Sequence, residues 1–78
     1  MSWLDDVTDE IAAGTGIDAA ELRLSPGEVR EILDIARIAS HASGERINAP
    51  LLCHVLGIAR AKGASLSAMS EVVRRHET

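Results

Sequence analysis

Residues 25–43 read SPGEVREILDIARIASHAS, and this stretch gives the clearest helix signal in the chain. Ser25 stands at the N-cap position, Pro26 at the first helical position and Glu28 at the third, which is the pattern of a capping box. At about 100° per residue, the apolar side chains that follow cover more than half of the helix circumference. A helix that rests on one neighbour needs a narrower stripe, so the pattern predicts a central helix with neighbours on two sides.

A shorter helical pattern and a connection precede this central segment. Residues 2–13 predict a first helix, and we expect Gly14 and Gly16 to end it. Its apolar side chains recur on one face: Trp3, Val7 and Ile11, with Leu4 beside them. Residues 17–24 predict a structured connection with one turn capped by Asp18, rather than a full helix. The side chains expected to face inward there are Ile17, Leu22 and Leu24.

Two further helices follow the central one. We expect Gly44 to end the central helix and Asn48 to cap the next, with Pro50 in its first turn. The inner face expected for that helix consists of Leu51, Leu52, Val55, Leu56, Ile58 and Ala59. The last helix is expected to begin near Ser65 or Ser67. Its expected inner face consists of Leu66, Met69, Val72 and Val73.

The composition supports an all-α fold and limits its size. Hydrophobic residues make up 46% of the chain, but 12 of them are Ala and Trp3 is the only aromatic residue. Thr, Tyr and Phe are scarce, which argues against strands. A chain of 78 residues has room for one core. We therefore expect a single all-α domain over residues 1–78, a small three- to four-helix bundle of modest stability.

The two halves of the chain carry opposite charge. Residues 1–34 hold nine acids and two arginines, net −7, whereas residues 35–78 hold six bases and three acids, net +3. Nucleic-acid-binding domains usually present a basic face, often with aromatic rings, so no nucleic-acid partner is expected. No apolar run reaches the length of a membrane span, and no signal-peptide pattern opens the chain. We therefore expect a cytoplasmic protein that does not contact the membrane.

Polar residues gather at the junction between the central helix and the next one. The candidate binding residues are Arg37, His41, Arg46 and Asn48, because donors around a helix N-terminus can hold an anion such as phosphate or carboxylate. The alternative places Arg37 and His41 on a solvated stripe, with His41 near the negative end of the helix dipole. The spacing of these residues does not decide between the two interpretations.

Small residues recur at every fourth position of the helix that follows the junction. Cys53, Gly57 and Ala61 form this row, which lets another helix come close and is a candidate interaction surface. Packing within the chain is the plainer explanation. Cys53 and His54 point about 100° apart on a helix, and no C-x-x-C or H-x-x-x-H spacing is present. We predict no metal site, no cofactor and no catalytic residues, since P-loop and nucleophile-elbow motifs are missing from the sequence.

Three stretches carry a resemblance to a known family: WLDDVTDEI at 3–11, ILDIARIASHAS at 32–43 and APLLCHVLGIA at 49–59. In this order they resemble a small bacterial helical domain of unknown function. That domain occurs alone or fused to the C-terminal end of the molybdenum cofactor (molybdopterin) guanylyltransferase. His41 and Pro50, together with Gly57, match marked positions of the family's pattern.

The resemblance implies a non-catalytic accessory or interaction domain linked to molybdenum cofactor biosynthesis, the route to molybdopterin-guanine dinucleotide. It implies a protein partner, such as the guanylyltransferase or a molybdoenzyme, and we add a homodimer as a further prediction. The glycine-rich nucleotide loop of the transferase is missing from this sequence, so we do not expect guanylyl transfer by this chain alone. The alternative function is a small-molecule binding domain that holds an anionic ligand at the junction described above.

Overall fold

A computed structural model describes residues 2–77, and within them the protein is all-α, with no β-strand. Four helices of nine or more residues and one single-turn helix follow in order: α1 (Trp3–Thr15), α2 (Ala19–Leu22), α3 (Pro26–Ser43), α4 (Asn48–Ala61) and α5 (Leu66–Arg74). The predicted small helical bundle is confirmed. None of the helices in the described range combines the length and the apolar character needed to cross a bilayer.

The predicted capping box begins α3. The Ser25 hydroxyl accepts a hydrogen bond from the Glu28 backbone N–H at 3.1 Å, and the Glu28 carboxylate accepts one from the Ser25 N–H at 2.7 Å. These bonds satisfy donors that the first turn of a helix would otherwise leave unpaired. Gly44 ends α3 in a left-handed conformation, with φ of 73°, as the sequence predicts.

The ends of α1 differ from the prediction in one respect. The Ser2 hydroxyl caps the helix by accepting from the Asp5 N–H, and Gly16 ends it with φ of 74°. Gly14 lies inside the helix, so its expected role as a stop is wrong. Gly14 has no positive φ, so the helix continues through it, and α1 ends at Gly16, where φ is positive. Asp18 caps the single turn of α2, as predicted.

The start of α4 corrects a second prediction. Asn48 is the first helical residue and not the N-cap, a position that Ile47 occupies with helical torsion angles and no side-chain cap. The reason lies in the turn before it, where the carbonyls of Glu45 and Arg46 accept from the N–H groups of Asn48 and Ala49. Because backbone acceptors satisfy these donors, a side-chain cap is not needed.

The core consists of α3 with one face of α4 and one face of α5. Ile35 and Ile38 of α3 are fully buried, at 0% and 1% exposure, and they form a cluster with Leu56, Leu66 and Val73. Partly buried side chains extend this cluster: Ile32, Leu52 and Met69. α3 packs against both α4 and α5, which confirms the expected central helix with neighbours on two sides.

Many side chains that the sequence places in the core are exposed instead. Large apolar residues expected inside but found exposed are Trp3, Leu4, Ile11, Ile17, Leu24, Leu33, Leu51, Val55, Ile58 and Val72. The apolar residues of α4 span an arc of about 160°. Only the part of that arc with Leu52, Leu56 and Ala59 turns towards its neighbours. About half of the predicted inner face of α4 therefore packs against neighbouring helices, and the other half is exposed.

The first helix lies away from this core. Among the helices, α1 packs only against α2, and an ion pair at 2.6 Å between Asp9 and Arg23 joins α1 to the segment after α2. The molecule is correspondingly elongated, with extents of 41 × 25 × 20 Å. Trp3 is 76% exposed, so the apolar face of α1 has no cover within the described chain.

Ion pairs hold the outer helices against α3. Arg60 of α4 reaches the Glu28 carboxylate at 2.7 Å, so Glu28 serves both the capping box and the contact with α4. Asp34 of α3 accepts from Arg74 of α5 at 2.8 Å. The N–H of Ser25, followed by Arg60, lowers the pKa of Glu28, because each stabilises the charged carboxylate.

A conservative truncation tests the small core. Ile35→Val should lower the free energy of unfolding by about 0.5–1.5 kcal/mol, because a fully buried methyl group is lost. Urea denaturation followed by circular dichroism measures the change. Ile17→Val, the same substitution at an exposed position, is the matched control and should change the stability by less than about 0.5 kcal/mol. Equal effects at both positions would contradict the core described here.

The acid dependence of stability tests Glu28. A carboxyl whose pKa is lowered on folding stabilises the fold above its unfolded pKa, and this contribution disappears as the pH falls through the folded pKa. Glu28→Gln should therefore be less stable than the unaltered chain at neutral pH, and the gap should close in acid. Urea denaturation across this pH range measures the gap. Glu10→Gln is the control, and a gap of the same size at every pH would rule out this role of Glu28.

Candidate functional site

Exposed apolar side chains form one continuous stripe along α4. We call Ile47, Leu51, Val55 and Ile58 the α4 stripe, and all four are exposed, for example Leu51 by 60% and Val55 by 57%. At about 100° per residue they fall within an arc of about 80°. Isolated exposed apolar residues are common, whereas a contiguous row of branched side chains on one helix face marks an interaction surface.

An apolar groove lies beside the α4 stripe, between α3 and α4. It encloses about 440 Å³, and its walls include Ala39 and Ala42 of α3 with Leu51, Leu52 and Val55 of α4. Its polar lining residues are Ser43, Asn48 and His76. Because Leu51 and Val55 belong to both features, the stripe and the groove form one apolar surface.

The second apolar surface lies on α1. We call Trp3, Leu4, Val7 and Ile11 the α1 face, and only Val7 among them is half-buried. Four acids lie on the same helix: Asp5, Asp6, Asp9 and Glu10. The helix contains no basic residue, and Asp9 is the one of its acids that forms an ion pair in the described range, with Arg23.

A polar recess of about 290 Å³ adjoins the groove, and Ile38 and Ala42 of α3 line both. Arg37, His41 and Glu77 supply its polar groups. The Arg37 guanidinium donates to Asp34 at 2.8 Å and to Glu77 at 3.1 Å. These hydrogen bonds, led by the one to Asp34, raise the pKa of Arg37. Two carboxylates therefore already compensate the charge of this arginine.

The structure brings together only part of the predicted binding set. Arg37 and His41 share the polar recess, and Asn48 lines the apolar groove instead. Arg46 is exposed in the turn before α4 and lines neither of them. An anion in the recess would meet the Glu77 carboxylate as well as His41. Anion binding at this junction stays a prediction, and the nearby carboxylates lower the affinity that we expect.

The row of small residues on α4 does not serve close helix packing within the described chain. Gly57 and Ala61 line a shallow recess of about 570 Å³ next to α2. A Cβ added at Gly57 would meet nothing within 4 Å. Cys53 is half-buried, and burial raises the pKa of its thiol. Across residues 2–77, no three His, Cys, Asp or Glu side chains group together as metal ligands.

The accessible surface of the chain exceeds that of a typical monomer. A monomeric protein of 8.3 kDa exposes about 4,600 Å² by the scaling of surface with mass. This chain exposes 5705 Å², an excess of about 1,100 Å². The α4 stripe and the α1 face contribute to this excess with large apolar side chains. An elongated shape of 41 × 25 × 20 Å and exposed apolar side chains are both consistent with this excess.

Sequence reasoning missed the α4 stripe because it assigned Leu51, Val55 and Ile58 to the core. One signal was present in the sequence: residues 46–70 contain no acidic residue, and α4 carries more apolar side chains than one neighbouring helix can cover. A surface helix keeps a narrower apolar arc with charged residues opposite. The surplus on α4 is therefore a sequence signal that part of its apolar arc stays exposed.

Comparisons with known proteins identify a family. The family model described as "Domain of unknown function (DUF6457)" matches residues 1–78, and the chain belongs to this family. Comparisons with curated proteins and with solved structures find no match.

Two glycines inside helices test the row of small residues. Gly57→Ala should raise the free energy of unfolding by about 0.5–1 kcal/mol, because alanine favours the helix and its Cβ meets no neighbour. Gly14→Ala in α1 has the same open surroundings and should stabilise by a similar amount. Thermal unfolding at equal concentration measures both. If Gly57→Ala lowers the stability while Gly14→Ala raises it, the row packs against something outside the described chain.

Proposed function

We propose that this member of the DUF6457 family is a non-catalytic helical interaction domain that binds a protein partner through the α4 stripe and the adjoining groove. One observation carries the proposal: four exposed, branched apolar side chains form a row on α4, and two of them, Leu51 and Val55, line an apolar groove of about 440 Å³. A groove between two helices with apolar walls is the kind of surface that receives an amphipathic helix.

Charge defines the partner segment further. Residues 46–62, which contain α4 and its flanks, hold Arg46, Arg60 and Lys62 and no acid. Arg60 is paired with Glu28, whereas Arg46 and Lys62 make no ion pair with another residue in the described range. A partner helix with an apolar face and acidic flanks would complement this surface, because interface charges steer association and fix register.

The partner that we propose is the molybdenum cofactor guanylyltransferase, with a molybdoenzyme as the second choice. The support is the resemblance of residues 3–11, 32–43 and 49–59 to the small domain that occurs alone or fused to that transferase. A fused domain acts at high effective concentration on its own enzyme, and a separate copy needs an affinity of its own. Residues 32–43 and 49–59 belong to α3 and α4, the two helices that form the groove.

The competing proposal is a small-molecule domain that holds an anionic ligand near Arg37 and His41. The polar recess gives it a location. The carboxylates of Asp34 and Glu77, which already pair with Arg37, weigh against it. The groove and the recess share Ile38 and Ala42, but only the groove includes residues of α4. A response at α4 therefore separates the two proposals in one experiment.

The test is an amide-shift titration of the labelled chain with the guanylyltransferase of the same organism. We expect signals of residues 47–58 to shift or broaden, and Val55→Glu to weaken binding at least about tenfold, because a carboxylate would be buried without a partner. Val72→Glu, at a residue of α5 that is 51% exposed, is the matched control and should bind as the unaltered chain does.

Guanine nucleotide forms the second arm of the same titration. Shifts confined to residues 37–46 on adding nucleotide would favour the anion-binding alternative. The proposed surface would be rejected if neither the transferase nor a molybdoenzyme caused amide shifts. It would also be rejected if Val55→Glu and Val72→Glu lost the same affinity.

A further inference from the structure

The α1 face packs against no other long helix within residues 2–77. Among the helices, α1 packs only against α2, and the Asp9–Arg23 ion pair joins it to the segment that follows α2. Trp3, the only aromatic residue, is 76% exposed at the start of this helix. Leaving the largest apolar side chain of a small protein in water forgoes a large stabilisation. Some other surface is therefore expected to cover it.

The α4 stripe and the groove complement the α1 face in length. α1 has 13 residues and α4 has 14, so each helix is about 20 Å long at 1.5 Å per residue. Each presents apolar side chains within a narrow arc along that length. The two surfaces therefore match over several helical turns.

The same two helices complement one another in charge. α1 carries four acids and no base. Residues 46–62 around α4 carry three bases and no acid. Asp9 is already paired with Arg23, and Arg60 with Glu28. The charges that make no ion pair in the described range are Asp5, Asp6 and Glu10 on α1 and Arg46 and Lys62 around α4. Within one chain these helices do not pack together. Opposite charges of this kind favour contact between different copies and disfavour α1 against α1 or α4 against α4.

The exposed area is sufficient for a stable dimer. A standard interface buries about 800 Å² on each partner. The excess of this chain over a typical monomer of its mass is about 1,100 Å². Two α1–α4 contacts related by a two-fold axis would bury the exposed apolar side chains of both surfaces in each copy.

We propose that two copies of this chain form a reciprocal dimer, in which the α1 face of each copy lies on the α4 stripe and groove of the other. The arrangement has closed two-fold symmetry, since each copy supplies one helix and receives one. This dimer rests on the proposed function, because it uses the same surface, and it adds α1 of a second copy as an occupant of the groove. The transferase would then compete with α1 of the second copy for the same groove.

Trp3 makes the dimer directly observable. Sedimentation should show a species of twice 8.3 kDa that dissociates on dilution. Trp3 emission should shift to longer wavelength over the same dilution, because the indole leaves the groove and enters water. Val55→Glu should weaken self-association roughly a hundredfold, as the apolar contact is replaced by a buried carboxylate. Val72→Glu should behave as the unaltered chain.

Mixing two variants tests the reciprocity. Val55→Glu leaves the α1 face intact, and Ile11→Glu leaves the groove intact. Each should be monomeric alone at a concentration where the unaltered chain is a dimer. A mixture should associate more strongly than either variant, because it restores one of the two contacts. Circular dichroism confirms that both variants fold. A mixture that associates no better than its components overturns the α1-to-α4 arrangement.

Two further outcomes overturn the dimer but leave the proposed function open to its own test. One is a monomer at every concentration with Trp3 emission typical of water. The other is a monomer with Trp3 emission at short wavelength and no response to dilution, which means that α1 folds back on its own chain. If such a monomer still shows shifts at residues 47–58 with the guanylyltransferase, the proposed function stands and the dimer fails. If the dimer forms but the guanylyltransferase causes no shifts, the dimer stands and the proposed function fails.

Discussion

Burial of Ile35 and Ile38 between α4 and α5 is the constraint on which the rest of the structure depends. These are the two fully buried large side chains in the described chain, and both lie on α3. A core of this size covers one arc of each neighbouring helix and no more. The other half of the apolar arc on α4 is consequently left on the surface, where it becomes the α4 stripe. A small core and an apolar exterior are two aspects of one packing arrangement.

Ion pairs orient the helices around this core and also select which charges stay available. Arg60 pairs with Glu28, and Arg37 and Arg74 both pair with Asp34. All are on the surface, so they fix geometry more than they add stability. Arg37, the arginine that lines the polar recess, is therefore paired, whereas Arg46 before α4 and Lys62 after it make no ion pair in the described range. The charge pattern therefore favours an acidic, apolar partner at α4.

The position of α1 connects fold and proposed function. It is a well-capped helix with an apolar face, yet its only helical neighbour is the single turn α2. A helix of 13 residues gains most of its stability from packing of its apolar face, so an uncovered α1 is a reason to expect a second chain. The proposed self-association and the proposed binding of a partner enzyme use the same groove. The groove would then be open to a partner enzyme only when the dimer dissociates.

Local signals in the sequence determined where most helices begin and end: the Ser25–Glu28 capping box, Asp18 before α2, and glycines with positive φ at residues 16 and 44. These succeed because the deciding hydrogen bonds span at most four residues. Asn48 failed as a cap because the carbonyls of the preceding turn were already in place. Only the tertiary structure decided which half of the apolar arc on α4 is buried and which residues share the recess with Arg37. Those outcomes depend on contacts between helices distant in sequence, and periodicity shows that a face is apolar without showing what covers it.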